Sequence, residues 1–135
     1  MPSPRIAKNM TDGCYFLTFT VNHWVDIFTS YTYFDLLIDN LKFYTKQQKA
    51  KLYGYVFMTN HIHLIAQCSN TINFVRNYKS FTSKEIIQLL KTDNRRYLLP
   101  IFNNNLGGFN IWRSSNWPVY IESDYFFEEK LNYIG

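Results

Sequence analysis

Apolar and polar positions fall into two rhythms along the chain, and the switches between them mark the elements. Cys14–Asn22 (CYFLTFTVN) is rich in aromatic, β-branched and Thr residues and predicts a strand. In residues 30–49, Phe34, Leu37, Ile38, Leu41 and Tyr44 recur at spacings of three and four, which predicts an amphipathic helix. Lys42, Lys46 and Lys49 lie late in it, where cations oppose the partial negative charge of the helix end. Lys51–Met58 predicts a second strand and His61–Gln67 a third. Thr59-Asn60 joins them, and Asn tolerates the left-handed backbone that tight turns use, so 51–67 reads as a hairpin. Helical spacing returns over 71–91 through Ile72, Val75, Phe81, Ile86, Ile87 and Leu90.

The remainder is less periodic. Residues 92–111 read as irregular, punctuated by Asn103–Asn105 and Gly107-Gly108, and 112–121 as loop with a short extended piece. A last helix opens near Ser123, an N-cap type followed by Asp124, and runs into Tyr133. Residues 1–12 are a polar, proline-containing lead-in. The order β-α-β-β-α-(β)-α predicts a single α+β domain over 1–135. Its expected form is a ferredoxin-like or RRM-like antiparallel sheet with helices packed on one face and the other open to a ligand.

Composition sharpens this in three ways. The chain has 135 residues, enough for one core. Its 11 Tyr and 12 Phe fill cores and also stack on unpaired bases. The net charge of +4 is uneven. Residues 70–115 hold seven basic side chains against Glu85 and Asp93, whereas 121–135 hold four acidic ones against Lys130. A cationic middle suits phosphate backbones. Two distant cysteines, Cys14 and Cys68, fit no zinc spacing and point to a reducing compartment. No apolar run approaches the roughly 18 residues of a membrane span, and the first residues lack a signal-peptide core. A cytoplasmic, nucleoid-associated protein is the expectation.

The chemistry concentrates in His61-Ile62-His63. Side chains on a strand alternate, so His61 and His63 share a face with Ile65 and Gln67, while Ile62, Leu64 and Ala66 point the other way. Two imidazoles so placed chelate one divalent ion and leave positions open for substrate. The competing reading is a chance pair on an open face. His23 is a weaker candidate third ligand, at the end of the first strand. Ile65 stands where a histidine-triad hydrolase needs its third His, and the chain has no pair of His-x-Thr/Ser motifs, so those two phosphate chemistries do not fit.

The stretch Tyr55-Val56-Phe57-Met58-Thr59-Asn60-His61-Ile62-His63-Leu64-Ile65 resembles the signature of the single-tyrosine HUH transposases, in the branch associated with repetitive extragenic palindromes (REP). Phe16–Val21 resembles that family's first strand, and Tyr78–Lys84 its basic helix. Trp112, Trp117 and Tyr120–Ser123 resemble the approach to its last helix, and Lys130–Ile134 its tyrosine motif. The resemblance covers most of 14–135 and implies a metal-dependent single-strand DNA endonuclease and strand transferase. His61 and His63 become the ligands of Mg²⁺ or Mn²⁺ and Tyr133 the nucleophile, giving a 5′-phosphotyrosine and a free 3′-hydroxyl. Tyr125 and Tyr78 are the next tyrosine candidates.

Arg76, Lys79, Lys84, Arg95 and Arg96 are the expected phosphate contacts, on single-stranded or hairpin DNA. Trp112 and Trp117 either stack on bases or anchor the loop. Family members occur as monomers and as homodimers that exchange helices, so both states stay open. Two departures matter. Thr59 stands where the family commonly has Pro. The family's motif also continues past the tyrosine to a polar residue that completes the metal site, whereas Gly135 is the last residue here. The tyrosine helix therefore reads as truncated. This keeps two alternatives in play: an inactive DNA-binding domain of the same fold, and a metal-dependent nuclease that uses water.

Overall fold

β1 (Gly13–Thr20) is one of the two inner strands of the sheet. The computed structural model describes residues 13–47, 49–114, 118–121 and 123–134. The expected lead-in 1–12 and Trp117 lie outside the described residues. β1 pairs antiparallel with β3 (His61–Cys68) on one side and with the two-residue β4 (Val119–Tyr120) on the other. β2 (Ala50–Phe57) pairs antiparallel with β3, giving the order β2-β3-β1-β4. With α1 (Tyr31–Lys46) after β1 and α2 (Thr71–Thr92) after β3, this is the expected ferredoxin-like arrangement.

The pleat decides which side chains become core. Tyr15, Leu17 and Phe19 of β1 and Ile62, Leu64 and Ala66 of β3 are buried together against α1 and α2. Each fully buried aliphatic or Phe side chain there, such as Leu64 or Phe19, contributes about 1.5–3 kcal/mol. α1 turns Tyr33, Leu37, Leu41 and Tyr44 inward. The Asn70 side chain caps α2 by accepting from the Asn73 amide at 3.0 Å. The buried stripe of α2 runs Phe74, Tyr78, Thr82, Ile86, Leu90, one residue every four. Phe81, expected inside, is exposed, and Thr82 takes the inner place. Its hydroxyl donates to the Tyr78 carbonyl at 2.6 Å and accepts from Trp112 Nε1 at 3.0 Å, so a buried polar group is satisfied twice.

The segment read as irregular contains a 3-10 helix, Arg96–Phe102, which buries Leu98, Leu99 and Phe102. A single tight helix of this kind is too short to leave a helical period in the sequence. α3 (Asp124–Ile134) crosses the opposite face of the sheet. Its Phe127 and Leu131 pack on Phe16, Ile65 and Ile121, so the face expected to be open is partly roofed. Cys14 packs beneath this roof, while Cys68 lies in the core beneath α1 and α2. Both thiols are free, and burial pushes that of Cys68 up to about 11.

Candidate active site and nucleic-acid interface

β3 presents His61 and His63 on one face because Ile62 and Leu64 between and after them are fully buried on the other. The two ring centroids lie 5.0 Å apart at 75°. β1 supplies the neighbours across the ladder, Thr20 opposite His61 and Thr18 opposite His63. Thr18 Oγ1 and His63 Nδ1 share a hydrogen bond of 2.9 Å. His61 is held from the turn. Asn60 Nδ2 donates to the Trp24 carbonyl at 3.4 Å, and Asn60 Oδ1 accepts from His61 Nδ1 at 2.8 Å. A carbonyl oxygen only accepts, so this contact places the His61 proton on Nδ1 and leaves the lone pair on Nε2.

The Thr59-Asn60 turn thus uses the Asn side chain and not its tolerance of left-handed backbone, since neither residue has positive φ. Thr59, where proline was the family expectation, donates its hydroxyl to Asp26 Oδ1 at 2.7 Å. His63 is half-buried. Desolvation lowers its pKa from the ordinary 6.5, and the charges of His61 and Lys130 lower it further. A neutral imidazole is the form that binds metal. The two rings, each with its Nδ1 occupied by a neighbour, fit a divalent ion through their outward nitrogens with coordination positions to spare. Among the described residues, no group of three or more His, Cys, Asp and Glu comes together, so His23 does not join the pair.

α3 delivers the third component. Tyr133 lies with its ring centroid 5.6 Å from that of His63 and 5.8 Å from that of Phe16, and two-thirds of its surface is exposed. Lys130, three residues earlier on the helix, has its ammonium 4.9 Å from the Phe16 ring and 5.9 Å from the Tyr133 ring. The other tyrosine candidates separate clearly. Tyr78 is fully buried, its hydroxyl donates to the Leu37 carbonyl at 3.0 Å, and burial pushes its pKa far up. Tyr125 is exposed earlier on α3.

A groove of about 900 Å³ runs between α2 and the segment preceding β4. Arg76, Lys79, Lys84 and Arg113 line it, with no carboxylate among the described lining residues. Lys79 Nζ donates to the Arg113 carbonyl at 2.6 Å, and burial lowers its pKa to about 8. Arg95 and Arg96 are not brought there. The Arg95 guanidinium donates to the carbonyls of Asp26 and Ile27 and lies over the Tyr33 ring, which makes it a brace for that loop. Arg96 is exposed at the start of the 3-10 helix. Trp112 does not stack on a ligand. It is buried against Phe19 and Phe28 and anchors its segment. Sequence reasoning missed Asn60 and Thr18, and the only trace of Asn60 is its place directly before the histidine motif.

No family model and no curated protein matches the chain. Solved structures do. One is a REP-associated tyrosine transposase bound to a REP hairpin, with a TM-score of 0.66 and 17% identity over 99% of this chain and 70% of that one. Another is a transposase candidate from Deinococcus radiodurans R1, with a TM-score of 0.58 and 18% identity over 99% of this chain and 95% of that one. The four-stranded antiparallel sheet with its flanking helices is the fold shared with both.

Proposed function

We propose that this chain, built on the fold of these two structures, is a metal-dependent nuclease and strand transferase that acts on single-stranded or hairpin DNA. The observation that carries the reading is the packing of Tyr133 on His63, with His61 alongside, on one face of the sheet. The hairpin bound to the first of these structures supports the choice of substrate. His61 and His63 would hold Mg²⁺ or Mn²⁺, which would supply Lewis-acid stabilisation of the phosphoryl oxygens.

The Tyr133 oxygen attacks the phosphorus of a phosphodiester. A phosphorus–tyrosyl oxygen bond forms as the bond to the 3′ oxygen breaks. The phenolic proton is released, and the leaving 3′ oxygen takes one up. The products are a 5′-phosphotyrosine and a 3′-hydroxyl. Because one phosphodiester replaces another, a second 3′-hydroxyl can reverse the step without ATP. Lys130 places a positive charge next to the ring whose oxygen must become anionic. Arg76, Lys79 and Lys84 hold the backbone in the groove.

A binding-only domain is the second reading. It draws support from the two-histidine set, which gains no third His, Cys, Asp or Glu among the described residues. The deciding experiment incubates labelled hairpin DNA with the protein and Mn²⁺, beside Tyr133→Phe and His61→Ala, on a denaturing gel. A covalent adduct lost in both variants and on chelation is the expected result. Binding without cleavage favours the second reading. Cleavage that survives Tyr133→Phe makes water the nucleophile.

A further inference from the structure

We infer that Trp24 and Arg113 form a platform on which an unpaired base stacks as the strand passes from the groove to the histidine pair. The inference rests on the nucleic-acid reading above and deepens it. Three observations meet at this corner. First, Trp24 is 58% exposed although it is a large apolar ring, and the Arg113 guanidinium lies over it, 5.5 Å from the centroid. A ring backed on one face by a guanidinium and more than half exposed offers a surface on which a base can stack.

Second, the backbone is held in an unfavourable form to present it. His23 and Trp24 are successive non-glycine residues at φ of 61° and 57°, a region that L side chains avoid. Strained conformations persist where neighbouring contacts enforce them. Here the enforcing contacts are Asn22 N–H to the Ile111 carbonyl at 2.7 Å, and Asn60 Nδ2 to the Trp24 carbonyl. Third, the platform joins the two regions already assigned. Arg113 lines the cationic groove, and its amide donates to the Thr20 carbonyl at 2.8 Å. Thr20 in turn lies opposite His61. Arg113, Thr20 and His61 are therefore in line across three adjacent backbones.

Charge selects the occupant. Among the described residues, the groove beside the platform carries four cations and no carboxylate, which matches a polyanion with exposed rings, meaning single-stranded nucleic acid. The test measures binding of a fluorescein-labelled hairpin oligonucleotide with a single-stranded flank, in which abasic units replace successive flank positions. The wild type should lose roughly tenfold in affinity at one or two adjacent positions. Trp24→Ala should bind the intact oligonucleotide roughly tenfold more weakly and be insensitive at those same positions. Trp24→Phe should recover most of the loss.

Wild-type affinity and an unchanged abasic profile in Trp24→Ala overturn the platform. So does a change in oligomeric state without a change in DNA affinity, which makes the ring a self-association surface. If Arg76→Ala and Lys84→Ala weaken binding while Trp24→Ala does not, the platform alone fails. If the wild type does not bind, the nucleic-acid reading fails with it.

Discussion

Asn60 and His61 are neighbours in sequence, and the side-chain carbonyl of the first fixes the tautomer of the second through a 2.8 Å hydrogen bond. The same amide reaches the Trp24 carbonyl with its nitrogen, so its orientation is set from both ends. The His61 nitrogen left to face the proposed metal ion is thus set by its neighbour Asn60.

Asn60→Ala should therefore weaken metal binding with His61 intact. Losing a contact that orients a ligand typically costs about 10–100-fold in metal affinity. Thr18→Val, which removes the hydroxyl beside His63 Nδ1, should do the same through the other ring. Calorimetric titration with Mn²⁺ checks both. Wild-type affinity in both variants would show that the rings need no such support.

His63 should make stability depend on pH. Its pKa is lowered in the folded chain, by desolvation first and then by His61 and Lys130. Around neutrality and below, the unfolded chain accordingly binds more protons at this site, and stability rises with pH. The contribution is intact above the ordinary value of 6.5 and is lost as pH falls from there through the lowered folded value. Between about pH 8 and about pH 5, the wild type should lose more stability to urea than His63→Gln does. Equal losses would contradict the assignment.

The fold was legible where one rhythm held without interruption. The β3 alternation placed the core face correctly, and His61-x-His63 needed only the pleat to share a side. The α1 spacing found Leu37, Leu41 and Tyr44 but passed over Tyr33, which is buried, and took in Ile38, which is only half-buried. In α2 the stripe passes through Thr82, which hydropathy places outside, and skips Phe81, which hydropathy places inside. Thr82 is buried because Trp112, thirty residues later in the chain, brings a donor to it. A bond of that span leaves no local pattern. Trp24 was invisible for the opposite reason, since only the tertiary bracing of an unfavourable turn sets it outward. The roof formed by α3 was likewise beyond reach, because an amphipathic helix does not say which face of a sheet it covers.

The Trp112–Thr82 bond gives a stability prediction free of any ligand. Thr82→Val keeps the volume and strands the Trp112 indole N–H in the core. The expected cost is about 1–3 kcal/mol, the penalty for a buried donor left unpaired. Urea denaturation followed by circular dichroism checks it, and a neutral result would mean the indole finds another acceptor.

Lys79 should make nucleic-acid binding fall at alkaline pH. Burial lowers its pKa to about 8, so the ammonium present near neutrality is lost as pH rises through that value. A bound phosphate opposes the loss, which moves the fall upward but keeps its direction. Affinity for a labelled hairpin should decline between about pH 7 and about pH 9 in the wild type and stay flat in Lys79→Arg, whose charge persists. A flat profile in the wild type would remove Lys79 from the interface.

The register of β2 shifts between Leu52 and Gly54, which leaves Tyr53 as an extra residue. Before the shift Ala50 and Leu52 pack on the core, and after it Phe57 does, so the strand changes phase in the middle yet stays apolar on one side. Tyr53 itself turns toward α3, where its ring meets Phe127 at 5.1 Å. β3, clamped by β1, keeps its own phase throughout. The bulge works as a slip joint: the edge strand takes up its extra residue without rotating the histidines away from the tyrosine.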